Sequence, residues 1–271
     1  MKVTVLIENT APENLVCEHG LSFLIEFEQQ KYLLDAGSTD LFLENAKRLG
    51  VYLKDVKTCI LSHGHYDHSG GFHTFLNENK EAYLYLMKSA DEEYYSTKGE
   101  LHEIGIPKVL LASHKERFIR VEKTIKLKEN VYLIPHNAKD LDLIGKRAGL
   151  YKKVGKELSP DDFAHEMSLV FDTQQGLVIF NSCSHAGVKN IISEVQNVLP
   201  GKLVYAFIGG LHMKGTTFSK EEIQEIAILA RKAGMRLLYT GHCTGEEAYK
   251  ILKEADQSLI QQLTSGIEIV L

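Results

Sequence analysis

The sequence predicts a mixed α/β fold of two β-sheets with helices on the outside, and three observations carry that prediction. Apolar runs near the N-terminus follow one another as hairpins. Runs in the last third alternate with helical patterns. One buried strand ends directly on a cluster of histidines, His63-Gly64-His65-Tyr66-Asp67-His68.

Taken in order, Val3–Ile7, Leu21–Phe27 and Lys31–Leu34 read as strands of a meander, with Gln29-Gln30 as the turn. Leu41, Phe42, Asn45 and Leu49 give a rough stripe for a helix from about Thr39 to Leu49, closed by Gly50. Val56–Leu61 is a buried strand, followed by a short helix near Phe72–Asn77 and a strand at Ala82–Met87. In the second half, Ser168–Asp172 and Leu177–Phe180 form a hairpin around Gln174-Gln175-Gly176. Gly187–Leu199 reads as a helix, Leu203–Ile208 and Arg236–Thr240 as strands, and Ile267–Leu271 as a closing strand. Ser219-Lys220-Glu221-Glu222 is a capping-box signature for a helix to Ala233, and Thr244-Gly245-Glu246-Glu247 starts another. The stretch 89–166 fits this grammar least well and is expected as a lid insertion in a single domain spanning 1–271. Within it, 139–156 carries Lys139, Lys146, Arg147, Lys152, Lys153 and Lys156 against two aspartates. That segment reads either as a solvated loop or as a cover that attracts an anion.

Composition narrows the partners. A formal net charge of −5 gives no global pull toward nucleic acid or an anionic membrane, and neither is expected as a partner. Leu203–Met213, the most apolar stretch, is too short to span a bilayer and is broken by Gly209-Gly210. Cys17, Cys59, Cys183 and Cys243 form no CxxC pair. With an N-terminus that turns acidic at Glu8, the expected compartment is the cytoplasm. Self-association into a homo-oligomer stays open.

The chemistry concentrates in a few places. Three histidines and an aspartate within six residues, after a buried strand and before Ser69-Gly70-Gly71, are ligands for a borderline metal. A thiolate such as Cys183, two residues before His185, is a ligand for softer metals. His212 follows Gly209-Gly210 after a strand and is expected to face the substrate or transfer a proton. His165 is a weaker ligand candidate. His19, His73, His102, His114 and His136 carry no motif and read as ordinary surface or packed histidines, as Tyr94-Tyr95 read as packing and Cys59 as core.

His63-Gly64-His65-Tyr66-Asp67-His68-Ser69-Gly70-Gly71 resembles the HxHxDH signature of the metallo-β-lactamase superfamily. Leu33-Leu34-Asp35-Ala36-Gly37 is similar to its upstream aspartate motif, and Thr240-Gly241-His242-Cys243 to its late histidine motif. The resemblance runs from Asp35 to His242 and implies a four-layer αββα sandwich with metals at the sheet edges. It also implies that Asp35 orients the site, that His63, His65 and His185 hold one ion, and that Asp67, His68 and His242 hold the other. Asn181-Ser182-Cys183-Ser184-His185-Ala186-Gly187 and Gly209-Gly210-Leu211-His212 resemble a narrower branch, the dihydropterin ribofuranosylaminobenzene 5′-phosphate synthase-like proteins, mostly labelled metal-dependent hydrolases. One position departs from the wider pattern. Where the superfamily has a bridging aspartate after a strand, this chain has Cys183. Of the two candidates for the remaining ligand of the first ion, His185 is preferred over His165, because it sits between a buried strand and a helix.

The expected function is therefore hydrolysis of an ester- or phosphoester-type bond in an anionic small molecule, using water activated by one or two divalent ions, zinc first, iron or manganese next. Asp67 and His212 are the expected catalytic groups. Two alternatives stand beside it: a synthase or transferase joining a pterin fragment to an aryl ribofuranosyl phosphate, and a di-iron redox protein.

Overall fold

The computed structural model describes residues 1–215 and 217–271. The chain forms two compact units. The first comprises Met1–Tyr95, His102–Val121 and Thr264–Leu271; the second comprises Ser96–Leu101 and Glu122–Leu263.

The first unit is built on a seven-stranded sheet. Glu268–Val270, Lys2–Ile7, Ser22–Phe27 and Gln30–Leu34 pair antiparallel, as the meander pattern predicts. Thr58–Ile60, Tyr83–Met87 and Phe118–Val121 then add in parallel. Parallel neighbours need crossovers, and the helices Leu41–Arg48, Phe72–Glu78 and Lys108–Ser113 lie in them. The strands are buried in near-continuous runs (Val3 to Ile7, Leu21 to Ile25, Cys59 to Leu61), the pattern of a sheet covered on both faces.

The second unit has its own seven-stranded sheet. The hairpin Met167–Thr173 and Gly176–Phe180 is antiparallel, while Gly176–Phe180, Val204–Ile208, Leu237–Thr240 and Ile260–Gln262 run parallel. Between them the helices Val188–Val198, Lys220–Lys232 and Glu246–Ala255 make the crossovers. Ser219 and Glu222 form the expected capping box. Parallel strands bring their C-terminal ends to one sheet edge, where α/β folds collect ligands. In the first unit that edge carries Asp35 and the loop after Ile60; in the second it carries the loops after Phe180, Ile208 and Thr240.

The stretch 89–166 is more regular than its sequence suggests. It holds the helices Lys108–Ser113 and Leu141–Ala148, the strands Phe118–Val121, Ile125–Lys128 and Val131–Pro135, and a hairpin of Leu150–Val154 with Glu157–Pro160. The basic run 139–156 is thus a helix and a hairpin. Among the described residues no helix is long and apolar enough to cross a membrane.

Candidate metal centre

In the first unit the site is organised by one buried carboxylate. Asp35 follows the strand Gln30–Leu34 with a left-handed φ of 59°, a conformation Asp tolerates better than most residues. Its backbone N–H donates to the Ile60 carbonyl at 2.9 Å, which ties it to the neighbouring strand. Oδ1 accepts the Ser62 N–H at 2.7 Å, and Oδ2 accepts the Ser62 hydroxyl at 2.7 Å. The same Oδ2 lies 2.8 Å from His68 Nδ1, so that nitrogen carries the proton.

These bonds fix a second ring. The Ser62 hydroxyl has one hydrogen and spends it on Asp35, so toward His63 Nδ1, 2.8 Å away, it can only accept. His63 Nδ1 is therefore the protonated nitrogen. In both His63 and His68 the partner on Nδ1 leaves Nε2 as the nitrogen a metal would bind.

The other members of the motif cluster tightly. His63 and His65 ring centres lie 4.6 Å apart, and those of His63 and His68 lie 4.2 Å apart. All three, with Asp67, are buried. Gly64 lets the turn pass close to a neighbouring loop, since a Cβ there would stand 2.4 Å from the Ala90 carbonyl oxygen. Asp67 Oδ2 sits 3.5 Å from His68 Nε2 and 3.3 Å from His19 Nε2. Burial acts to lower the His68 pKa, but Asp67 and Asp35 override it and raise the value to about 10. Two carboxylates beside one buried ring make a negative pocket, which a cation suits. The donor set and its tautomers fit a metal.

In the second unit, Cys183 and His185 occupy the loop between the strand Gly176–Phe180 and the helix Val188–Val198. Asn181 Oδ1 accepts the Ser184 N–H at 2.6 Å, and the buried Glu166 carboxylate accepts the His185 and Ala186 N–H groups, each at 2.8 Å. Burial nevertheless pushes the Glu166 carboxyl above its ordinary pKa. His185 stacks on Phe163, with centroids 4.8 Å apart, and its ring centre is 4.3 Å from that of His212. His165 is buried with Nε2 3.0 Å from Asp161 Oδ2. His242 opens the turn His242–Thr244 at a left-handed φ of 49°. The next residue, Cys243, is buried, which alone would raise its thiol pKa; hydrogen bonds with Cys183 and His212 and the nearby His242 charge bring it well below the usual range.

A cavity of about 320 Å³ in this unit has His185 and His212 in its wall beside Phe163, Leu211, Met213 and Phe218. Arg147, from the basic helix, lines it too. Its guanidinium stacks 4.4 Å over Phe218 and pairs with Glu222 at 3.2 Å. Of the rest of that basic run, Lys152 is held by Asp162 at 2.6 Å.

The structure thus brings His63, His65, Asp67 and His68 together around Asp35 in the first unit, and Cys183, His185, His212 and His242 onto adjoining loops of the second. It adds two residues that sequence reading passed over. His19 meets Asp67, and Cys243 joins Cys183. His19 precedes a glycine in an unpatterned loop and gives no signal; Cys243 directly follows a ligand-type histidine and does.

Residues 15–136 match the model of the metallo-beta-lactamase superfamily. Over 98% of its length this chain is 28% identical to the 7,8-dihydropterin-6-methyl-4-(beta-D-ribofuranosyl)-aminobenzene-5′-phosphate synthase of Methanocaldococcus jannaschii, of which 95% is covered. A crystal structure described as a metal-dependent hydrolase of the β-lactamase superfamily is similar at a TM-score of 0.82 and 29% identity, covering 100% of this chain and 99% of that one. The Zn²⁺-bound PqqB of Methylobacterium extorquens shares the fold at a TM-score of 0.56 and 9% identity, with 100% of each chain covered.

Proposed function

We propose that this chain, which is similar to the metallo-β-lactamase superfamily, is a metal-dependent hydrolase cleaving an ester- or phosphoester-type bond in an anionic small molecule. The observation that carries the reading is the Asp35 relay, which sets His63 and His68 in the ligand tautomer. The proposed ligands are His63, His65, Asp67 and His68 of the first unit and Cys183, His185 and His242 of the second, for zinc, iron or manganese, one or two ions per chain.

The chemistry such an ion supplies when bound is Lewis acidity and a water acidified to a pKa of about 7. This chain's own residues do the rest. Asp35 and Ser62 hold the two imidazoles in place, and Glu166 fixes the backbone that presents His185. The apolar wall of Phe163, Leu211, Met213 and Phe218 takes the body of the substrate and keeps water off it, while His212 meets its polar end. Arg147 is the member of the basic run that lines this cavity, where an anion would compete with Glu222 for its guanidinium.

Replacing His63 and His65 together by Ala is expected to remove bound metal and hydrolytic activity against a panel of phosphodiesters, phosphomonoesters and lactones, with the far-UV spectrum unchanged. A wild-type protein that carries no metal and takes none up would sink the reading. Arg147→Glu is expected to raise KM for a phosphate-bearing substrate by about tenfold at low salt, and less as salt is added. A KM insensitive to that change at every ionic strength removes Arg147 from the site.

A second reading is favoured by the full-length similarity to the methanogen synthase. It makes the protein a catalyst that joins a reduced pterin to an aryl ribofuranosyl phosphate. Incubating the metal-loaded protein with both compounds, and following a joined product against hydrolysis of the phosphate alone, separates the two.

A further inference from the structure

Cys243 has no part in the reading above, yet it stands where a ligand would. We propose that Cys183, His212 and Cys243 form a thiolate-rich metal site of the second unit, suited to zinc or another soft ion. The ligand atoms of these three residues all lie within 4.8 Å of one another, and both cysteines are buried. One ion with bonds of about 2.0–2.3 Å to sulfur and nitrogen spans such a triangle with small adjustments. Two thiolates and one imidazole are a soft donor set, distinct from the imidazole and carboxylate set around Asp35.

Three further features belong to a built site. The His212 backbone N–H donates to Cys243 Sγ at 3.3 Å, an interaction that favours thiolate over thiol. Gly210 is required beside it, since a Cβ there would stand 2.4 Å from Cys243 Sγ and 2.8 Å from the Ser182 carbonyl oxygen. The loops that carry the three ligands hold non-glycine residues in left-handed backbone, Ser184 at φ 53°, His212 at 48° and His242 at 49°. Left-handed backbone at a residue with a side chain is strained and persists only where the surroundings demand it. An imidazole has two ring nitrogens, so ligation through one leaves the other of His212 for the cavity.

Cys183 also belongs to the ligand set proposed above, so the test turns on Cys243. The probe is Co²⁺ added to the whole protein freed of metal under reducing conditions, followed through the sulfur-to-cobalt charge-transfer absorption in the near ultraviolet. The His63→Ala/His65→Ala protein is expected to keep this absorption, which a failure of the hydrolase reading would leave untouched. Cys243→Ser and Cys183→Ser are each expected to lower its intensity by about half, and His212→Ala to weaken Co²⁺ binding at least tenfold. The proposal is overturned if Cys243→Ser retains the wild-type intensity, if wild type shows no such absorption, or if mass analysis of the reduced, metal-treated protein still finds the two sulfurs joined as a disulfide. Cys243→Ala, compared with Cys243→Ser by thermal melting, guards against a variant that simply fails to fold.

Discussion

Asp35 is the residue on which the proposed metal chemistry of the first unit turns, because a single carboxylate orients Ser62, His63 and His68 together. Asparagine keeps its size and tolerates the left-handed φ of 59°, but one arm becomes a donor and the charge is lost. Asp35→Asn is expected to weaken metal affinity by about 10- to 100-fold with the fold retained, the range found for partners that orient metal-bound imidazoles. Competition with a chromophoric chelator measures it; an unchanged affinity would mean that the relay does not set the tautomers. The aspartate was legible in the sequence as the upstream member of the family pattern, and the close grouping of His63, His65, Asp67 and His68 was legible in their spacing. The partners of those residues were not. That Asp67 meets His19, and that Cys243 meets Cys183, depends on which loops share a sheet edge, and a linear spacing does not encode that.

Elements with a strong period or a long buried run declared themselves. The meander at the N-terminus, the hairpin before Asn181 and the capped helix Lys220–Lys232 follow from burial alternation and capping chemistry. Those between 89 and 166 did not, for visible reasons. His102–Glu103 is two residues long and exposed, and Lys108–Ser113 buries only Leu110, so neither carries a readable pattern. The helix Val188–Val198 shows how side chains tie such elements together. Its Glu194 pairs with His136 Nδ1 at 2.8 Å and accepts the Asn137 N–H at 2.9 Å. Burial alone would raise the Glu194 pKa; the hydrogen bonds from His136 and Asn137 bring it below the ordinary value instead. A carboxylate depressed in the folded state adds stability above its unfolded pKa of about 4.3 and loses that contribution as pH falls through the folded value. Glu194→Gln is therefore expected to be less stable than wild type by a constant margin above about pH 5, and the margin should close as pH falls below about 4. Urea denaturation across that range checks it. A margin that persists unchanged to pH 3 would assign the effect to packing.

At the scale of the whole molecule, the net charge of −5 does nothing to draw the proposed anionic substrate, so its attraction has to be local, and bound metal ions would add the missing positive charge. An ion bound only by the folded chain also stabilises it by mass action. At a free concentration one hundred times Kd the gain is about 2.7 kcal/mol, and each further decade adds about 1.4 kcal/mol per site. For a chain of 271 residues, 1 kcal/mol corresponds to about 2 °C in Tm. With free Zn²⁺ set by a chelator buffer, Tm is expected to be flat below Kd and then to climb by about 2–3 °C per decade for one ion, or twice that for two. The His63→Ala/His65→Ala protein should lose one such increment and keep any that comes from the thiolate-rich cluster, and adding Cys243→Ser should remove the remainder. The slope therefore counts ions, and the variants say where each one is held. A wild-type Tm that stays level across the whole range of free Zn²⁺ would mean that the histidine cluster does not bind metal in the folded chain, however well its tautomers are set.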